Sequence, residues 1–218
     1  MKQHFFIAGT DAGVGKTYVI TELLRSLHAG GKNAVGFKPV TCGDRAEVRS
    51  MREAIEQPNL SLDAVNPVYL RTATDPLMAA SLERKDIEIE SVLDAWSTLC
   101  EQYDIVLTEG VYGWLTPIAP GLTAADIAKR MNTPVILVTN NCKGAAGQVA
   151  LVAQAIAACG LKCAGVILNH PGEEWDTAAV ANADLIERTT GLPVLASLIQ
   201  NDMIDAEILN IQSLLTVE

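Results

Sequence analysis

Near its amino terminus the chain reads Gly9-Thr10-Asp11-Ala12-Gly13-Val14-Gly15-Lys16-Thr17. A largely apolar run at residues 4–8 precedes these nine residues, and a helical pattern follows them. A strand, a glycine-rich loop and a helix in this order form a phosphate-binding loop, in which backbone N–H groups and the helix amino terminus face an anion. The pattern predicts phosphate contacts for Gly13, Val14, Gly15, Lys16 and Thr17, with Lys16 at the terminal phosphates and the Thr17 hydroxyl on Mg²⁺.

The spacing of the glycines departs from the usual loop. Five residues, rather than four, separate Gly9 from Gly15. A glycine-rich string after a strand is often only a turn. The Gly15-Lys16-Thr17 ending and the strand-to-helix context favour the phosphate site over the turn.

Composition and charge narrow the function classes. The 218 residues are 49% hydrophobic and carry a formal net charge of -10, which predicts one domain over residues 1–218 with a full core. The acidic balance argues against a general nucleic-acid or anionic-membrane surface, and no apolar stretch is long enough for a membrane span. Five cysteines without paired metal spacing, and no secretory signal before the first strand, predict a reduced, cytoplasmic setting.

Strand and helix patterns alternate along the chain. Continuous apolar runs, such as Val135-Ile136-Leu137-Val138, are typical of parallel strands covered on both faces. The alternation predicts an α/β fold with a doubly wound, mostly parallel sheet flanked by helices, like that of P-loop NTPases. We predict strands at residues 4–8, 33–38, 103–108, 133–139, 162–168 and 193–196. We predict helices at residues 16–28, 45–54, 75–82, 87–102, 124–131, 145–158, 177–190 and 203–215. Residues 57–76 are the least regular stretch and are predicted to form a loop near the site.

The carboxyl ends of the strands are where ligands bind in such sheets. Lys38 leaves the second strand and either reaches a second anionic group or is a solvated lysine. Asp44 opens a helix, so it is either an N-cap or a carboxylate near Mg²⁺. Glu109 follows the predicted strand at 103–108, where P-loop proteins place an acidic residue for Mg²⁺.

Together with the loop, the motifs Lys38-Pro39-Val40, Glu109-Gly110, Gly113-Trp114 and Thr116-Pro117 resemble dethiobiotin synthetase. The resemblance continues through Val65-Asn66-Pro67 and through the apolar runs that end at Val138 and Asn169. The wide glycine spacing is itself a feature of this family. The combination is specific, whereas any one motif alone is not.

The resemblance implies an ATP- and Mg²⁺-dependent enzyme that closes a ureido ring on 7,8-diaminononanoate with CO₂, in biotin synthesis. It implies a homodimer with the site near the interface. The site residues that it implies are Lys16 and Lys38 for catalysis, Thr17, Asp44 and Glu109 for the metal, Asn169 for adenine, Thr41 and Cys42 in the turn that lines the carbamate pocket, Tyr112 beside the substrate, and Gly144 and Gly147 in the segment 144–148 for the substrate carboxylate.

Several positions depart from the family pattern. Ala12-Gly13 stand where Thr-Glu is frequent, and Cys42 stands where serine is common. Val111-Tyr112 interrupt a run of small residues, Gly147 replaces an asparagine, and residues 198–200 lack a proline of the base pocket. These changes affect substrate affinity and nucleotide preference rather than the phosphate and metal residues.

Three alternatives stand beside this interpretation. The first is a regulatory or partitioning P-loop ATPase, which usually carries an extra lysine early in the loop, where this chain has Asp11. The second is a small-molecule kinase or amide-forming synthetase of similar fold, which would lack the motif at residues 109–117. The third is a divergent or inactive family member, suggested by Tyr112 and Gly147.

Overall fold

The central feature of the fold is a six-stranded sheet whose paired strands are all parallel. The computed structural model describes residues 2–170 and 177–199. The sheet strands are β1 (Gln3–Gly9), β2 (Ala34–Phe37), β5 (Ile105–Gly113), β8 (Val135–Asn140), β9 (Cys163–His170) and β10 (Val194–Ile199), in the spatial order β10-β9-β8-β1-β5-β2. The predicted parallel α/β fold is confirmed.

Helices connect and flank these strands. They are α1 (Lys16–Ala29), α2 (Ala46–Ala54), α3 (Leu62–Val65), α4 (Pro76–Glu83), α5 (Ile89–Gln102), α6 (Ala124–Met131), α7 (Ala145–Ala158) and α8 (Thr177–Thr190). All four residues of β2 and five of the six in β8 are buried, as expected for strands covered on both faces. None of the helices in the described part of the chain is long and apolar enough to cross a bilayer.

Four short strands form two further small sheets. The parallel pair is β3 (Val40–Cys42) with β4 (Val68–Leu70), and the antiparallel pair is β6 (Pro117–Ala119) with β7 (Leu122–Thr123). The sequence pattern did not predict these strands, because two or three residues carry no measurable periodicity. The stretch 57–76, predicted to be a loop, contains α3 and β4 and therefore has regular structure of its own.

Of the eight predicted helices, the one at residues 203–215 lies outside the described residues. The other seven match the structure to within two residues at each end. One strand differs in a way that matters for the site. The strand predicted to end at Thr108 continues to Gly113, so Glu109 lies inside β5 rather than after it.

Register within the sheet brings the candidate site residues together. Strand β2 pairs with β5 so that Phe37 lies opposite Thr108, which places the next residues, Lys38 and Glu109, side by side. Strand β1 also pairs with β5, and Gly9 at its end lies opposite Gly113. The phosphate-loop sequence, Lys38 and Glu109 therefore meet at one edge of the sheet.

We expect Arg84→Gly to stabilise the fold. Arg84 is the C-cap of α4 and has a left-handed backbone, with φ 53°. A side chain strains this conformation and glycine does not, so the free energy of unfolding should rise by about 0.5–1 kcal/mol. Urea denaturation measures the change. The matched variant Arg84→Ala keeps a Cβ and should give no gain; an equal gain would exclude backbone strain as the cause.

Candidate active site

The loop between β1 and α1 has the backbone of an anion cradle. Gly13 and Gly15 both have positive φ, 70° and 90°, and Gly15 is the N-cap of α1. A Cβ added to Gly15 would lie 2.0 Å from Asn169 Nδ2, so a side chain does not fit there. Because α1 lacks a side-chain cap hydrogen bond, its first N–H groups face the loop and are free to meet a phosphate.

Lys16 lies in the floor of this loop. Its side chain is almost buried, at 6% exposure, and Nζ donates to the carbonyl oxygen of Asp11 at 3.1 Å. Burial lowers the pKa of Lys16 to about 8, although Glu109 opposes the shift. A phosphate group in the loop would supply the counter-charge that this ammonium needs.

Next to the loop, three charged side chains form a cluster in which Lys38 and Glu109 are buried and Glu47 is half-exposed. Lys38 Nζ donates to Glu109 Oε1 at 2.7 Å and lies 2.7 Å from Glu47 Oε2. Thr17 Oγ1 donates to the same Glu109 oxygen at 2.8 Å. Lys38 and Glu109 are only 4% and 1% exposed. The cluster therefore joins the start of α1, the end of β2, the interior of β5 and the first turn of α2.

The pKa values follow from this burial and pairing. Burial alone would lower the pKa of Lys38, but the carboxylates of Glu109 and Glu47 raise it above its ordinary value. Burial raises the pKa of Glu109, against the attraction of Lys38. Burial also opposes the charge of Glu47, yet Lys38 holds the pKa of Glu47 below its usual range. Lys38 is therefore charged when the site is free of ligand.

One carboxylate oxygen of the cluster makes no hydrogen bond to the described residues. Glu109 Oε2 is buried and has no hydrogen-bond partner among the described residues. A buried carboxylate oxygen without a partner is costly unless a ligand completes it. Oxygen donors from a hydroxyl and carboxylates are those that Mg²⁺ prefers, so the donor set fits this ion.

Glu47 was not predicted as a site residue, yet it contacts Lys38. The predicted residue, Asp44, has other partners. Asp44 is exposed, accepts a hydrogen bond from the Ala46 backbone N–H and lies 3.6 Å from Arg49 Nη2. It borders the same cavity without touching Lys38 in the described contacts. Glu47 lies in the first turn of α2, and the packing of α2 against β2 brings it to Lys38. No signal in the local sequence distinguished Glu47 from a solvated acid.

The cluster and loop open into a cavity of about 470 Å³. Its wall includes three of the predicted substrate residues, Thr41, Cys42 and Tyr112, together with Ala12 and Gly13. Thr41 Oγ1 is buried without a partner among the described residues, and burial raises the pKa of the Cys42 thiol to about 11. Cys42 is therefore a neutral, weak hydrogen-bond donor here.

Comparison with known proteins gives the family. A family model described as an AAA domain matches residues 3–207. The ATP-dependent dethiobiotin synthetase BioD of Akkermansia muciniphila is 42% identical to this chain over 208 residues, covering 95% of this chain and 97% of that protein. Its counterparts in Xanthomonas oryzae pv. oryzae and Anaeromyxobacter dehalogenans are 36% and 34% identical, and the matches cover 87% and 88% of each chain. The chain belongs to the dethiobiotin synthetase family.

Solved structures agree on the fold. The cell division ATPase MinD of Pyrococcus furiosus matches with a TM-score of 0.60 and 18% identity, over 98% of this chain and 100% of that chain. A ParA family ATPase of Chlorobium tepidum matches with a TM-score of 0.58 and 14% identity, over 98% and 90%. At such identities the likeness extends to the P-loop fold alone.

The departures from the dethiobiotin synthetase pattern have distinct places in the structure. Tyr112 has a left-handed backbone, φ 49°, at a position where the family pattern has a small residue. Its hydroxyl lies 3.4 Å from the Thr74 carbonyl oxygen, and its ring borders both the main cavity and a second cavity of about 640 Å³. The aromatic side chain thus takes up space between the two cavities.

The remaining predicted residues lie farther round the sheet edge. Asn169 is buried, donates from Nδ2 to the Val14 carbonyl oxygen at 3.0 Å, and leaves Oδ1 without a partner among the described residues. Gly144 is the left-handed N-cap of α7, and Gly147 lies in its first turn; neither borders the main cavity. The departure at residues 198–200 extends to Gln200, which lies outside the described residues.

We expect Lys38→Met alone to destabilise the protein strongly, because it leaves the Glu109 carboxylate buried beside Glu47 without a cation. Breaking a buried pair from one side costs about 3 kcal/mol or more, whereas removing both charges is close to neutral. The double variant Lys38→Met/Glu109→Gln should therefore recover most of the loss in urea denaturation. Lys129→Met, at an exposed lysine, is the control. If the double variant were as unstable as the single one, the ion pair would not be the cause.

Proposed function

We propose that this protein is an ATP-dependent cyclo-ligase that converts 7,8-diaminononanoate and CO₂ to dethiobiotin, with release of ADP and phosphate. Family membership supports this function, since the relatives are named ATP-dependent dethiobiotin synthetase. The observation that carries it is the pair of buried ammonium groups, Lys16 inside the phosphate loop and Lys38 beside it. The whole chain, residues 1–218, acts as one catalytic domain in this proposal.

Two anionic groups must meet for the reaction to proceed. One substrate amine adds to CO₂ and loses a proton, which gives a carbamate. A carbamate oxygen then attacks the γ-phosphorus of ATP, and ADP leaves. The second amine attacks the carbonyl carbon of the resulting carbamic–phosphoric anhydride, closes the ring and expels phosphate. Lys16 holds the terminal phosphates and Lys38 the carbamate, so that repulsion between them falls and the reacting atoms stay in line.

Mg²⁺ is part of the proposal. Thr17 and Glu109 supply two of its oxygen ligands, and a carboxylate from the start of α2 supplies a third. The contacts favour Glu47 for that third ligand, and the sequence pattern favours Asp44. A bound Mg²⁺ would neutralise charge on the phosphate oxygens. Few protein ligands are needed, because Mg²⁺ keeps waters and nucleotide oxygens in its shell.

The rest of the ligand set is proposed on the same basis. Thr41, Cys42 and Tyr112 border the space next to Lys38 and would contact the diamine end. Asn169 would receive the adenine amino group on its unpartnered oxygen. Gly144 and Gly147 would present the amino terminus of α7 to the substrate carboxylate.

We further propose a cytoplasmic homodimer with the site near its interface. Two exposed leucines, Leu115 at 63% and Leu151 at 71% exposure, flank the second cavity. Exposed apolar side chains beside a cavity are typical of surfaces that associate. A second chain would cover them and could contribute its own α7 amino terminus to the site.

A partitioning or regulatory ATPase is the second candidate, and it is not favoured. The structural neighbours of this kind share the fold at under 20% identity. Position 11 is aspartate rather than lysine, and Lys16 contacts the Asp11 backbone within its own loop.

The product assay tests the proposal directly. With 7,8-diaminononanoate, bicarbonate, Mg²⁺ and ATP, we expect dethiobiotin to form in a one-to-one ratio with ADP, detected by mass spectrometry. Lys38→Ala should lower turnover by roughly 30- to 1000-fold, the loss expected when a preorganised charge worth about 2–4 kcal/mol is removed. Binding of ATP should persist in this variant. Phosphate release stimulated by DNA or lipid, with no effect of the diamine, would instead favour the ATPase.

Two isosteric variants decide the third Mg²⁺ ligand. In the presence of a non-hydrolysable ATP analogue, Glu47→Gln should weaken Mg²⁺ binding by roughly tenfold or more, while Asp44→Asn should change it by less than about twofold. The asparagine oxygen can accept the hydrogen bond of the Ala46 backbone N–H as the aspartate does, so the second variant keeps the start of α2 intact. Calorimetry or the electron paramagnetic resonance of bound Mn²⁺ gives the affinity. The reverse order of effects would assign the ligand to Asp44.

A further inference from the structure

Lys38 lies where the chain passes from one sheet to another. Strand β2, in the six-stranded sheet, ends at Phe37, and β3, in the small sheet with β4, begins at Val40. Lys38 therefore belongs to no strand ladder. The next residue, Pro39, has no N–H to donate and restricts Lys38 to extended backbone angles. A residue in such a gap needs other partners to be held in place.

The segment 65–66 supplies these partners. The Lys38 backbone N–H donates to the Val65 carbonyl oxygen at 2.8 Å. Asn66 Nδ2 donates to the Lys38 carbonyl oxygen, also at 2.8 Å. Both polar backbone groups of Lys38 are thereby fixed by two neighbouring residues of a separate chain segment.

Asn66 is itself completely buried and its amide is fully used. Its relative exposure is 0%. Besides the bond to Lys38, Nδ2 donates to the Val68 carbonyl oxygen at 3.2 Å, and Oδ1 accepts from Arg45 Nε at 2.9 Å. These three bonds leave one orientation of the amide, since a flipped side chain would turn its oxygen towards two carbonyl groups.

The third bond connects this amide to helix α2. Arg45 is the N-cap residue of α2, and its Nη2 also donates to the Asn66 carbonyl oxygen at 2.9 Å. Arg45 pairs with Asp63 at 2.7 Å and lies over the Tyr69 ring at 4.6 Å. The guanidinium is thus held on three sides, and Glu47 follows two residues later on the same helix.

We infer that Asn66 is a positioning residue, which with Arg45 fixes the Lys38 ammonium relative to the Glu47 carboxylate and the phosphate loop. Asn66 touches no reacting group and acts through the Lys38 backbone. In the free protein it keeps Lys38 within 2.7 Å of both carboxylates. During turnover it keeps the same ammonium in line with the γ-phosphate. The inference rests on the proposed function where it concerns turnover, and on the geometry alone where it concerns the Lys38 contacts.

The variants Asn66→Ala and Arg45→Met test the two ends of this connection. We expect Asn66→Ala to lower kcat for dethiobiotin formation by on the order of 10–100-fold, as a displacement near 1 Å of a reacting group does. KM and Kd for ATP should stay within about twofold, because the phosphate loop keeps its own contacts. Arg45→Met should shift the same parameter in the same direction. Because the Arg45 side chain is only 14% exposed and pairs with Asp63, urea denaturation should establish that this variant is folded before its kcat is compared. Tyr103→Phe is the control, since it removes a partly buried hydrogen bond to Gln57 on a segment that does not touch Lys38.

A double variant separates positioning from general destabilisation. If Asn66 acts through Lys38, Asn66→Ala should lower turnover little or not at all in a Lys38→Ala background, while its effect on stability should remain. Three results would each overturn the inference. Asn66→Ala could lower kcat equally in the wild-type and Lys38→Ala backgrounds, it could raise Kd for ATP by as large a factor as it lowers kcat, or it could leave kcat within twofold of wild type.

A crystal structure of ligand-free Asn66→Ala gives a readout that does not depend on the reaction. The Lys38 Nζ–Glu109 Oε1 distance should lengthen from 2.7 Å to beyond hydrogen-bond range. An unchanged distance would overturn the positioning role whatever the kinetics. Absence of dethiobiotin from the wild-type protein, by contrast, would overturn the proposed function and leave the Lys38 geometry to be judged by this distance.

Discussion

The buried pair of Lys38 and Glu109 is the constraint around which the site is built. Two opposite charges at 4% and 1% exposure have lost most of their hydration, and their 2.7 Å contact is what offsets that loss. The pair exists because Phe37 on β2 lies opposite Thr108 on β5, which makes the next residues neighbours. A shift of one residue between these strands would separate the charges and turn the two side chains to opposite faces of the sheet. Sheet register and site geometry therefore depend on each other.

This pair also determines how the site can accept ligands. Lys16 and Lys38 are balanced by Glu47 and Glu109, so these four side chains have no net formal charge. A triphosphate and a carbamate would both add negative charge to the same space. Among residues 2–170 and 177–199, no further lysine or arginine lines the main cavity, which makes a divalent cation the natural source of the missing positive charge. If Lys38 binds the incoming anion as proposed, it must give up its contact with one carboxylate, and the half-exposed Glu47 can move more easily than the buried Glu109.

Much of this arrangement could be predicted from the sequence, because it depends on local patterns. Apolar runs predicted the strands, and the helical patterns between them predicted the helices. The glycine-rich loop at residues 9–17 predicted the edge of the sheet at which phosphate would bind. The rule that ligands bind at the carboxyl ends of parallel strands singled out Lys38 and Glu109, and the resemblance to dethiobiotin synthetase supplied their predicted roles. Glu109 was placed after a strand that in fact continues to Gly113, since Gly110 reads as a turn signal when its neighbours in space are unknown. The two small sheets were not predicted because strands of two or three residues carry no measurable periodicity.

Glu47 and Asn66 show why the rest of the site could not be predicted. Glu47 looks like any solvated acid in a charged helix turn, and only the path of α2 over β2 brings it to Lys38. Asn66 stood in a recognised motif, yet its role depends on Arg45 at position 45 and on a carbonyl oxygen at position 38, and nothing in the local sequence links the three. Tyr112 differs from Glu47 and Asn66, because the sequence already marked it as a departure from the family pattern. Its left-handed backbone conformation, however, could not be predicted from the sequence. A tyrosine at φ 49° costs on the order of 1 kcal/mol, which neighbouring contacts have to offset. Because Tyr112 lines both cavities, the shape of each of them depends on this one strained residue.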